Sequence, residues 1–210
     1  VVSSHHLAAQ SGLRVLREGG NAIEAMIAAA ATISVVYPHM NGIGGDGFWL
    51  IAAPGAAAPT AILGVGRAGR AVDAAFYRAR GLAAIPARGP LAANTVAGTV
   101  SSWAAAHEIS RAWGGTLPLE ALLEDAIHYA RAGVPLTRGH CEMVAAKQGE
   151  MAGLDAWRRL FAADGVPVPG AILKQPALAE TLAALARDGL DGFYRGALAK
   201  RIAADLARAG

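Results

Sequence analysis

The side chains able to do chemistry in this 210-residue chain fall into a few groups. Ser3-Ser4-His5-His6 crowd the start, His39 stands beside a glycine-dense turn, His107, His128 and His140 are scattered, and Arg67 and Arg70 follow a strand-like run. Serine with histidine is the pairing of nucleophilic acyl transfer, in which imidazole takes the hydroxyl proton. The Gly-x-Ser-x-Gly elbow that presents such a serine in one large hydrolase class does not occur in the sequence. Helix capping and solvent exposure are therefore the expected roles of the opening serines and histidines. His39 is expected to make a supporting hydrogen bond or a structural contact. His107, His128 and His140 lack metal-ligand spacing, and Asp46 and Glu150 lie too far apart in sequence to infer a paired carboxylate. Cys141 is the sole cysteine, which excludes an intrachain disulfide or a thiolate metal cluster. With no activating base in evidence, Cys141 reads as a small buried hydrophobe.

The densest local signal is Pro38-His39-Met40-Asn41-Gly42-Ile43-Gly44-Gly45-Asp46-Gly47-Phe48-Trp49-Leu50, with four glycines in six residues leading into an apolar strand-like segment. Glycine at this density permits positive φ and lets a ligand or another chain segment reach main-chain distance. Such a turn must be held by the elements around it. Residues 6–18 carry a helical pattern stopped by Gly19-Gly20, and Asn21 with Glu24 forms a capping-box signal for a helix running to Val36. Gly47–Ala53 and Thr60–Val65 read as two short strands of an antiparallel hairpin. Beyond Gly66 the pattern is largely helical, with candidates at 96–113, 119–132, 138–148, 177–187 and 197–209. Two strands do not make a stable sheet alone, so the hairpin is expected to need strands from elsewhere.

Composition narrows the function classes. A chain with 54% hydrophobic and 17% charged residues is long and apolar enough for one folded domain over residues 1–210. The net charge of +3 is spread out, and the arginines at 67, 70, 78, 80 and 88 lack aromatic interleaving. They read as a solvated helical face, and no nucleic-acid partner is expected. The longest apolar stretch, Ala25 to Val36, is too short to span a bilayer, so no membrane role is expected. No charged segment with a cleavage site precedes the first helix, and location stays open between cytoplasm and periplasm.

The order Gly19-Gly20-Asn21-Ala22, apolar helix, Pro38-His39, glycine turn and strand resembles the opening of the γ-glutamyltranspeptidase family of N-terminal-nucleophile hydrolases. Further segments carry the same resemblance. They are Ser3-Ser4-His5-His6-Leu7-Ala8, Thr95-Val96-Ala97-Gly98-Thr99-Val100, Trp113-Gly114-Gly115-Thr116-Leu117-Pro118-Leu119 and Leu178 to Ile202 with Phe193-Tyr194-Arg195-Gly196. His6 and Ala97 stand where that family carries proline. The match is weakest over 136–174.

That resemblance implies an α/β (α+β) fold, an αββα sandwich of the N-terminal-nucleophile hydrolase type completed by a small subunit. This chain would be mostly helical with a short hairpin, the N-terminal part of the large subunit of a self-processed heterodimer. The implied nucleophile is a threonine opening the small subunit, its α-amine (pKa about 8) serving as base. Val1 has no nucleophilic side chain, so no catalytic residue is assigned here. Main-chain amides would stabilise the oxyanion, and no metal or organic cofactor is implied. Transpeptidases carry an Arg-Glu-x-Ala-Pro-like segment whose arginine holds the substrate α-carboxylate. Here Gly64-Val65-Gly66-Arg67-Ala68-Gly69-Arg70 lacks the glutamate and proline and resembles the Gly-x-Gly-Arg-Ala-Pro form of amidohydrolase and acylase relatives. Arg67 is therefore the candidate anchor of a small anionic, oxamate-like amide, with a surface ion pair as the equal alternative. Arg70 is a second candidate. A genuine γ-glutamyltransferase or glutathione hydrolase, and a non-catalytic helical scaffold, remain the other readings.

Overall fold

A computed structural model describes residues 1–151 and 153–209. In chain order the elements are α1 (His6–Arg17), α2 (Ala22–Val36), β1 (Gly47–Ile51), β2 (Thr60–Gly64), α3 (Ala74–Arg78), α4 (Thr99–Ala112), α5 (Leu119–Ala132), β3 (Val134–Pro135), α6 (Arg138–Met151), α7 (Asp155–Phe161), β4 (Ile172–Leu173), α8 (Pro176–Asp188) and α9 (Ala197–Ala209). Short 3-10 turns occupy Pro90–Ala92 and Leu190–Phe193.

The capping box forms as its sequence spacing requires. Asn21 Oδ1 accepts from the amides of Ile23 (3.0 Å) and Glu24 (3.1 Å), while Glu24 Oε2 accepts from the Asn21 amide at 2.8 Å. The other carboxylate oxygen of Glu24 accepts from Leu117 N–H at 3.0 Å, so this fully buried side chain also fixes the loop before α5. The small residues of α2 let α1 and α5 pack closely against it, and α8 then packs on α5. Buried hydroxyls continue the seam, with Thr32 Oγ1 donating to Ser11 Oγ at 2.9 Å. Gln175 ties the far end together: its Nε2 donates to the Val35 carbonyl and its backbone N–H to the Ala130 carbonyl, each at 2.8 Å. Trp103, Leu123, Leu182 and Leu185 form the larger core, and Val15, Ile27 and Leu122 centre a second one.

β1 and β2 pair antiparallel, with Gly47 opposite Gly64, Phe48 opposite Leu63 and Trp49 opposite Ile62. The inward face rests on α4, where Trp49 Nε1 donates to Ser102 Oγ at 3.0 Å. The outward face carries Phe48, Leu50 and Leu63, exposed by 67%, 75% and 73%. β3 and β4 make a separate two-residue antiparallel pair.

Several expectations need adjustment. The helix expected from Val96 starts at Thr99, because the preceding residues run extended and bridge Ala68 to Thr95. The strand expected to reach Ala53 stops at Ile51. Residues 65–98 are mostly irregular, with α3 as the single α-helix described there. The arginines from 67 to 88 therefore do not share a helical face: Arg67 adjoins the Ala68–Thr95 bridge, Arg80 stacks over Phe76 at 3.6 Å, and Arg88 pairs with Glu150 at 2.7 Å. α7 and the β3–β4 pair lie in the segment of weakest resemblance and were not legible from periodicity. Gly210, where the family resemblance would place a Gly-Gly turn into a following helix, lies outside the described residues.

Candidate functional site

The glycine turn, the end of β2 and the start of α4 converge at one point, held there by main-chain contacts. The Gly45 carbonyl accepts three hydrogen bonds from the first turn of α4: from Gly98 N–H (2.8 Å), Thr99 N–H (2.9 Å) and Thr99 Oγ1 (2.9 Å). These N–H groups would otherwise lack partners, since the first amides of a helix have none within it. Tyr194 closes the node from the other side. Its hydroxyl accepts from Ser101 N–H and donates to the Ala97 carbonyl, both at 2.8 Å. Asp46 lies across the turn, where Oδ1 accepts from Gly66 N–H at 3.4 Å.

Close approach explains some of the glycines and not others. A Cβ on Gly66 would overlap the Val96 carbonyl, one on Gly98 would overlap the Gly64 carbonyl, and one on Gly47 would overlap Ser102 Oγ. A Cβ on Gly64 would lie 2.6 Å from the Gly98 oxygen. By contrast, Gly42, Gly44 and Gly45 have open space where a Cβ would go among the described residues, and none has positive φ. The expectation of positive φ in this turn is corrected accordingly. These three glycines present bare main chain outward.

Arg67 lies at the same junction. Its carbonyl accepts from Val96 N–H at 3.0 Å, fixing the backbone in an extended bridge. The side chain is exposed, and among the described residues it has no hydrogen bond or ion pair. Arg70 is likewise exposed, in the turn closed by the Val72 N–H to Gly69 carbonyl bond of 3.0 Å.

The remaining candidates are dispersed. His5, and neither Ser3 nor Ser4, caps α1, its Nδ1 accepting from Leu7 N–H at 3.3 Å. His39 lies between Tyr37, tilted against it, and His140, edge-on to it, with ring centroids 4.2 and 4.7 Å away, and its buried Nδ1 has no partner among the described residues. Burial lowers the His39 pKa; burial and then the neighbouring His39 lower that of His140 to about 4. Asp46 and Glu150 sit in different surroundings, the latter bound by Lys147 and Arg88. Cys141 is buried against Leu136 and Leu173, and burial pushes its thiol pKa up, away from the reactive thiolate. Among the described residues no group of three or more His, Cys, Asp or Glu is placed to hold a metal, and no helix is long and apolar enough to cross a membrane. Thr99, Ser102 and Tyr194 were missed as site-shaping residues. Tyr194 had a signal, the Phe193-Tyr194-Arg195-Gly196 segment, but only folding brings it 97 residues back to Ala97.

Comparison with known proteins points to one family. The family model described as Gamma-glutamyltranspeptidase matches residues 8–210. An oxamate amidohydrolase proenzyme of Klebsiella pneumoniae subsp. pneumoniae is 52% identical over 100% of this chain. A glutathione hydrolase-like proenzyme of Bacillus subtilis is 40% identical over 98% of it. The chain spans 39% and 38% of the lengths of these two relatives. Among solved structures, a gamma-glutamyltranspeptidase from Pseudomonas nitroreducens complexed with L-DON superposes with a TM-score of 0.87 at 30% identity, covering 100% of this chain and 61% of that one. A cephalosporin acylase from Bacillus halodurans gives 0.85 at 34% identity, covering 94% and 37%.

Proposed function

We infer that this chain, which belongs to the gamma-glutamyltranspeptidase family, is the N-terminal part of the large subunit of a self-processed threonine amidohydrolase. Residues 1–210 form a single domain in this reading. A small subunit from the same precursor lays its strands along the hairpin and completes an αββα sandwich. The observation that carries it is the hairpin itself: an outward face of Phe48, Leu50 and Leu63 stands open beside the bare turn glycines and Arg67. An exposed apolar patch of this kind marks an interaction surface.

In the reaction, the small subunit's N-terminal threonine gives its hydroxyl proton to its own α-amine, and the oxygen attacks the amide carbonyl. Collapse of the tetrahedral intermediate expels ammonia, which carries the proton away, and water then releases the acyl group. This chain's part is to orient the substrate. The Arg67 guanidinium offers paired donors to a carboxylate, and the amides of the turn are open to a carbonyl oxygen. A small acidic amide such as oxamate fits a segment lacking the glutamate and proline of transpeptidases, and the 52% identical relative bears an oxamate amidohydrolase name.

Three measurements test this. Intact mass of the full gene product should reveal two chains, the smaller opening with threonine. The processed enzyme should release ammonia from oxamate faster than it forms product from a γ-glutamyl anilide. Arg67→Ala should raise KM for oxamate about ten- to hundredfold, the worth of a charge-assisted pair. An unchanged KM would remove Arg67 from the site. Predominant γ-glutamyl transfer would favour the second reading, a glutathione hydrolase, which the 40% identical Bacillus relative supports by name. A full-length product that lacks the threonine and stays uncut would leave only a scaffold.

A further inference from the structure

A cavity of about 370 Å³ lies between the Pro38–Met40 segment, α6, α7 and Arg88. Arg67 and the turn glycines do not line it. Its volume falls within the range of about 300–1,000 Å³ typical of small-molecule sites. The walls are apolar and polarizable. Met143 and Met151 project from α6, and Trp157 and Phe161 from α7, with the two rings tilted and their centroids 6.2 Å apart. Thioethers and tilted rings of this kind favour a flat aromatic guest.

The charge in the cavity is one-sided. Arg88 Nε donates to Glu150 at 2.7 Å and Lys147 Nζ to the same carboxylate at 3.2 Å. Lys147 and then Arg88 hold the Glu150 carboxyl below its ordinary range, so it stays ionised at neutral pH. Two cations thus share one anion, leaving one positive charge in excess. Arg88 retains further guanidinium donors and Lys147 further ammonium donors. His39, on the lining, and His140, edge-on behind it, are kept neutral by burial and contribute no charge. A neutral guest would leave the excess charge unmatched, and a dianion would exceed it.

We propose that this cavity binds a small aromatic monocarboxylate, its ring between Trp157, Phe161 and the methionines and its carboxylate on Arg88 and Lys147. The site is independent of the amidohydrolase reading, because it shares no lining residue with the Arg67 junction. It abuts the Pro38–Met40 segment that leads into the glycine turn, so an occupant would touch the entrance to that turn.

The test is calorimetric titration of the full-length protein with 3-phenylpropionate and, separately, with the neutral 3-phenylpropionamide. The acid should bind saturably at one site and the amide at least about tenfold more weakly, the worth of a charge-assisted contact. Lys147→Gln, at the half-buried rim, should weaken the acid about five- to tenfold, and Met143→Trp should fill the cavity and abolish binding. Arg67→Ala should leave binding unchanged. Saturation should also alter Trp157 fluorescence, a change lost in Trp157→Phe. No saturable binding, equal binding of acid and amide, or insensitivity to Lys147→Gln would each overturn the proposal. Loss of binding in Arg67→Ala would do so as well, by placing the acid at the junction. If Met143→Trp does not fold by circular dichroism, the Lys147→Gln and amide comparisons still decide.

Discussion

A methyl group added to Gly66 would run into the Val96 carbonyl, because the extended segment after β2 crosses the approach to α4 at main-chain distance. Neither partner is the free end of a flexible side chain, so the backbone must move. Gly66→Ala should cost about 3 kcal/mol, at the upper end of ordinary overpacking, and lower the urea midpoint correspondingly. Gly42 faces open space at the same turn. Gly42→Ala should keep stability within about 0.5 kcal/mol of the parent, as an unobstructed surface change does. If substrate or the small subunit approaches this bare main chain, the same variant should lower kcat/KM for oxamate. Parent-like activity in Gly42→Ala would remove the turn's open side from the site.

Between elements, Tyr194 joins the segment after α8 to the start of α4 through one hydroxyl that both donates and accepts. Tyr194→Phe keeps the ring and deletes both bonds, which should cost about 1–3 kcal/mol because Ala97 O and Ser101 N–H lose their partner. The measurement is a urea midpoint with an unchanged m-value. His140 couples α6 to the segment before the glycine turn through His39. Its folded-state pKa of about 4 lies below the ordinary histidine value of 6.5. Between these values the unfolded chain takes up a proton that the native ring does not, so stability is full above pH 6.5 and falls as pH drops toward 4. His140→Phe should flatten the difference between midpoints measured at pH 7 and pH 5. A residual slope of the same sign should persist, since burial also lowers His5, His39 and His107.

At the scale of the whole molecule, the hairpin is the element with an unfinished face. Phe48 and Leu63 stand opposite each other on its outer side, and together with Leu50 they make a patch that a companion sheet would bury. Replacing Leu63 with Lys leaves the inward face on α4 intact, so this chain should keep its helical content by circular dichroism. In the proposed heterodimer the buried ammonium would oppose assembly. The full-length Leu63→Lys product should then remain uncut or separate into its two chains on size exclusion. A stable, fully processed Leu63→Lys heterodimer would show that the small subunit does not pack on this face.

Local signals decide much of this protein without any tertiary contact. The Asn21–Glu24 capping box, the stop at Gly19-Gly20, the hairpin strands, the small apolar run of α2 and the α5 and α8 periodicities all depend on neighbours within a few residues, so spacing alone displays them. The ordered run of glycine motifs likewise made the family legible. Tertiary structure decided the rest, because it turned on contacts across long separations. Gly66 and Gly98 are required by backbones that meet only after folding, while no described residue of this chain occupies the space a Cβ on Gly42, Gly44 or Gly45 would take. Tyr194 reaches the site, Arg88 leaves the supposed basic face to pair with Glu150, and two weakly patterned helices enclose a cavity with it. A side chain's type is written in the sequence, but its partner is chosen by geometry.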